Sequence, residues 1–77
     1  MSEETLDITL SKAEALVLFD LIARINETNS ETVFEHDAER KIFWKIEASL
    51  ERTLTEPLSS NYQELIIKAR QEVNDAY

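Results

Sequence analysis

Apolar and polar positions change period twice along this chain. Thr5-Leu6-Asp7-Ile8-Thr9-Leu10 alternates, which places Leu6, Ile8 and Leu10 on one side of an extended segment. Ser11-Lys12-Ala13-Glu14 then has the spacing of a capping box, in which the Ser11 hydroxyl accepts from the Glu14 amide and the Glu14 carboxylate accepts from the Ser11 amide. A first helix is expected over residues 12–27. Its core face is read as Ala15, Leu18, Leu21, Ile22 and Ile25 with Val17 and Phe19 at the flanks, and its wet stripe as Asp20, Arg24 and Glu27.

Asn26 or Asn29 can end that helix in place of a glycine. Thr32-Val33-Phe34 is β-prone, and pairing with residues 6–10 would make a two-stranded ribbon. A second helix is expected from Asp37, read as its N-cap, to about Leu54, with a core stripe of Ile42, Phe43, Ile46, Leu50 and Leu54. Glu56-Pro57 stops it, because the residue before proline avoids helical geometry. Ser60 and Gln63 have capping-box spacing, and a third helix covers about 61–75 with Tyr62, Leu65, Ile66, Ala69, Val73 and Ala76 inward. The fold class is therefore mainly α. A single domain spans residues 1–77, a small three-helix bundle-like arrangement with a short extended N-terminal segment.

Composition narrows the chemistry. There is no cysteine, so disulfides, Cys-ligated zinc and thiol nucleophiles are excluded, and no glycine, so no phosphate-cradling glycine loop exists. The longest apolar run, Ala15 to Phe19, is far shorter than the roughly 20 residues that span a bilayer. The acidic start lacks the pattern of a secretory leader, and a cytoplasmic location is expected. The net charge is −8, and all of it falls in residues 1–39, where ten acids face two bases; residues 40–77 carry six of each. Such a field repels nucleic acids and anionic membranes and favours a partner with a basic surface.

The single histidine, His36, lies in Glu35-His36-Asp37. Those two residues, His36-Asp37, resemble the metal-binding doublet of HD-type phosphohydrolases, but the further histidines of that set are absent. The acids there read as the favoured residues of a helix N-terminus, with His36 in solvent. The serines at helix starts are explained by capping, so neither a catalytic site, a cofactor nor a metal is expected and the protein is read as non-enzymatic.

Three apolar residues fall off the core stripes: Leu16, Trp44 and Ile67. Trp44 stands beside Arg40, which can stack on its ring, and Trp and Arg are enriched at interaction hot spots. Trp44, Arg40, Leu16 and Ile67 are therefore the candidate partner-binding residues. Glu27, Glu31, Glu35, Asp37 and Glu39 form the candidate acidic steering surface. The function expected is a small acidic protein-binding module that occludes a basic partner. The alternative is a structural or adaptor protein that homodimerises through leftover apolar helix faces. In size, charge and helicity the chain is similar to bacteriocin immunity proteins, a likeness of bulk properties that assigns no residue.

Overall fold

A computed structural model describes residues 4–28 and 33–77. It contains helices α1 (Lys12–Thr28), α2 (Asp37–Thr53) and α3 (Tyr62–Ala76), with a single 3-10 turn at Glu56–Leu58 between α2 and α3. The three helices pack on one another and no strand occurs among the described residues. The expected ribbon is thus corrected: residues 5–10 are exposed and have no regular secondary structure, and Val33 belongs to a turn. An alternating segment becomes a strand only when another backbone supplies its ladder partners, and none lies alongside it here. Thr32 and Asn29, named above, lie outside the described residues.

The α1 N-terminus forms as the sequence implies. The Ser11 amide donates to Glu14 Oε1 at 2.8 Å, and the Glu14 amide donates to Ser11 Oγ at 3.1 Å. At α2 the cap is one residue earlier than expected: His36 is the N-cap, and its Nδ1 accepts from the Ala38 amide at 3.0 Å. Asp37 is thereby the first helical residue, where its charge complements the helix dipole. Glu39 reaches back to accept from the Glu35 amide at 2.8 Å. The capping box expected from Ser60 is absent. Asn61 caps α3 without a side-chain bond, because Pro57 first starts the 3-10 turn and Ser59 and Ser60 complete the connection.

Helix α1 is the central element and packs against both α3 and α2, whereas α2 and α3 have little direct contact. Its buried residues are Ala13, Leu16, Phe19 and Ile22. Ala13 and Ala69 of α3 belong to one cluster with Leu16, Phe19, Leu54 and Ile66. Tyr62, at the start of α3, bonds to Asp20, and Tyr77, just past its end, bonds to Glu14, so α3 runs opposite to α1. Leu54 leaves the helical path at the end of α2, in an extended conformation, and is 5% exposed in that cluster. Among the described residues, α2 itself has no fully buried side chain.

These placements correct the expected phase of two helices. Leu16 is in the core at 5% exposure, whereas Leu21 is 42% exposed. Ile42 of the expected α2 stripe is 54% exposed. The inward residues of α3 are placed as expected at Ile66 and Ala69, with Tyr62, Leu65 and Val73 half-buried, but Ala76 is exposed.

The difference in burial sets a stability contrast. Ile66→Ala empties a site that is 1% exposed and is expected to cost about 2–5 kcal/mol. Ile42→Ala, at a residue more than half exposed, is expected to cost under about 1 kcal/mol. Urea denaturation of the two variants checks this, and equal losses would contradict the assigned core.

Candidate protein-binding face

Of the four candidate contact residues, Trp44 and Ile67 are exposed, at 51% and 61%. Arg40 is half-buried and Leu16 is removed from the set because it is a core residue. Leu16 was misplaced because α1 has partners on two sides, which widens its buried sector past the single stripe that the pattern suggested. Asp20 marks that extra side. Its carboxylate is not wetted but held between α1 and α3, bonded to Tyr62 Oη at 3.2 Å, Arg70 Nη2 at 3.0 Å and Arg24 Nε at 3.0 Å.

Arg40 stacks on an aromatic ring, though not on Trp44. Its guanidinium lies 4.7 Å from the centroid of Phe34, which in turn meets Phe43 edge-on at 5.3 Å. The chain entering α2 thus folds its aromatic residue against the helix and occupies Arg40, leaving Trp44 open. Trp44 and Arg40 are a turn apart on one flank of α2. Ile67 stands on α3, and because α2 and α3 barely meet it forms a separate exposed point.

The steering acids are placed around the end of α1 and the start of α2. Glu27, Glu35, Asp37 and Glu39 are all exposed, and Glu31 lies outside the described residues. Glu39 and His36 are engaged in capping. Among the described residues no group of three or more His, Asp or Glu side chains is arranged to hold a metal ion. A hollow between α1 and α3, lined in part by Lys12, Leu16, Glu56 and Leu65, has a volume of about 270 Å³. That is below the ~300–1,000 Å³ of typical small-molecule sites.

The sequence pattern missed several exposed apolar residues. Leu6 and Ile8 are 94% and 83% exposed, and Leu21 and Ile42 were assigned to the core. The alternation at residues 5–10 signalled a strand and did not mark Leu6 and Ile8 as an exposed surface.

Two tyrosines fix α3 to α1 electrostatically. Burial, followed by the charge of and hydrogen bond to Asp20, pushes the Tyr62 phenol up to about 12. The Tyr77 hydroxyl donates to Glu14 Oε2, and that bond, with those from Ser11, holds the Glu14 carboxyl below its ordinary value of 4.5. No helix of the described residues is long and apolar enough to cross a membrane. No protein-family model matches the chain, and no curated protein or solved structure matches it significantly.

Because the folded pKa of Glu14 is depressed, the stabilisation it supplies is present above pH 4.5 and is lost as pH falls through the folded value. Glu14→Gln is expected to be less stable than the parent at pH 7, with the gap narrowing as pH falls below 4.5. Thermal melts of both chains across falling pH measure it; a gap that does not narrow with acidification would contradict the bond set.

Proposed function

We propose that this is a small acidic protein-binding module that acts by occluding a partner with a basic surface. One observation carries the reading: Trp44 is half exposed on a helix that has no fully buried residue among those described. A tryptophan left open, with its arginine neighbour tied to another ring, offers a large rigid contact area at little cost in conformational entropy. The −8 charge, concentrated in residues 1–39, supplies the long-range attraction that brings a basic surface to it. Glu27, Glu35, Asp37 and Glu39 rim the end of the molecule from which α2 starts, so the attraction and the anchor belong to the same region.

The absence of catalysis is part of the proposal. Support comes from the shallow hollow, whose polar lining includes the paired Lys12 and Glu56 at 3.1 Å, and from the use of His36 as a cap. The location proposed is the cytoplasm, on a sequence without cysteine.

A photo-crosslinker at position 44 in cell extract identifies the protein that docks there, and its binding kinetics are then measured with purified components. The on-rate is expected to fall about tenfold or more between ~0.05 and ~0.3 M salt. Trp44→Ala is expected to raise the off-rate by about 30-fold, the effect of a ~2 kcal/mol hot spot. An on-rate indifferent to salt together with an unchanged off-rate for Trp44→Ala would overturn the reading.

A further inference from the structure

Acids and bases mix along the sequence of α2, but the helix sorts them onto different sides. Glu39 accepts from the Glu35 amide, and Glu47 turns in to Asn26 Nδ2 of α1 at 2.6 Å. Leu50 packs against the core on that inward side. At about 100° per residue, Trp44, Ala48, Lys41, Arg52 and Lys45 share a sector of roughly 100° on the side turned from α1. Trp44 is 51% exposed, and the three bases are exposed with it. Asp37 stands at the N-terminal end of this strip, and Glu51 lies on the other side of Trp44 from the bases.

The chain has 16 acids for 8 bases, yet the ion pairs among the described residues involve Lys12, Arg24 and Arg70 and none of the strip. Spacing is the reason. On a helix a base meets a carboxylate three or four residues away. Around Lys45 those positions hold Lys41, Ile42, Ala48 and Ser49. Around Arg52 they hold Ala48, Ser49, Thr55 and Glu56. Arg52 bonds Ser49 Oγ at 3.5 Å, and Glu56 is paired with Lys12 at 3.1 Å. Lys41 has Asp37 one turn before it, and the two form no ion pair.

We infer that this strip receives an acidic helical segment of the partner protein. The inference rests on the reading of Trp44 as the anchor and names the chemistry that the partner brings beside it. The −8 charge acts at long range, whereas contact selects the charges within a Debye length of about 8 Å. At that range the strip is cationic. Lys41 and Lys45 are about 6 Å apart along the helix axis, and Lys45 and Arg52 about 10.5 Å. Carboxylates at i, i+7 and i+11 of an antiparallel helix meet all three, and those positions fall within about 40° on one face. A nucleic acid or an anionic membrane presents a dense array of phosphates, which the −8 charge repels and which Asp37 and Glu51 repel at the borders of the strip. A basic protein that carries a patch of three carboxylates meets no such barrier.

Trp44 is the single tryptophan of the chain, so its emission reports on this face. The probe is a synthetic helical peptide of about 18 residues with Glu at i, i+7 and i+11 and Leu on the flank toward Trp44. It is expected to shift Trp44 emission to the blue and to saturate. Raising salt from ~0.05 to ~0.3 M is expected to weaken binding about fivefold or more. Lys45 and Arg52 are exposed, so Lys45→Glu with Arg52→Glu leaves the circular dichroism unchanged and is expected to weaken binding about tenfold or more. No shift with the Glu peptide, or equal or tighter binding of a peptide with Lys at the same three positions, overturns the inference. So does tighter binding of an oligothymidine of about 20 nucleotides, or of phosphatidylcholine vesicles containing phosphatidylserine, than of the Glu peptide. Anisotropy of the labelled peptide separates the two readings. Loss of binding on Trp44→Ala alone overturns the strip and leaves the anchor, and loss on the charge reversals alone upholds the strip and removes the anchor.

Discussion

Helix α1 must satisfy two neighbours at once. It alone in the chain carries large apolar side chains around most of its circumference, from Leu16 through Ile25. A helix of that kind buries more of its surface with two partners than with one. Helix α3 packs against the cluster that holds Ala13, Leu16 and Phe19, and α2 meets α1 through Asn26 and Glu47 and through Leu54 at its end. Together they cover much of α1, while Leu21 stays 42% exposed. The position of every other element follows from that demand.

The two contacts are not equal. On the α3 side, Ile66 and Ala69 are sealed, and Asp20 and Glu14 tie both ends of the helix. On the α2 side no helical residue is sealed among those described. The bridge from Asn26 to Glu47 also leaves Asn26 Oδ1 buried without a protein partner, an arrangement that stabilises less than a fully satisfied one. Leu54 anchors α2 mainly at its end. A helix held this way keeps its sides available, and those sides bear Trp44 on one flank and Ile42 on the other.

Much of the fold was legible because local signals set it. The box at Ser11 and Glu14, the stop at Pro57 and the apolar spacing of α3 depend on neighbours in sequence, and the structure contains all three. What failed depended on neighbours in space. A hydrophobic wheel assigns one inward direction to a helix, so it misread Leu16 and Leu21 on α1, which has two. It also placed Ile42 inside, because a stripe does not reveal how deeply its partner covers it. His36 won the cap from Asp37 because either can accept from the first turn, and the aromatic contact of Phe34 fixes where the chain enters. Of the candidate face, the openness of Trp44 and Ile67 followed from their phase, whereas the diversion of Arg40 to Phe34 is a tertiary contact that spacing did not show.

The inequality of the two sides of α1 is the central claim, and native-state hydrogen exchange measures it residue by residue. Amides in the middle of α1 and α3 are expected to exchange only through global unfolding. Those of α2 between Lys41 and Ser49 are expected to exchange through a local opening of lower free energy. Protection of α2 equal to that of α1 would contradict the account.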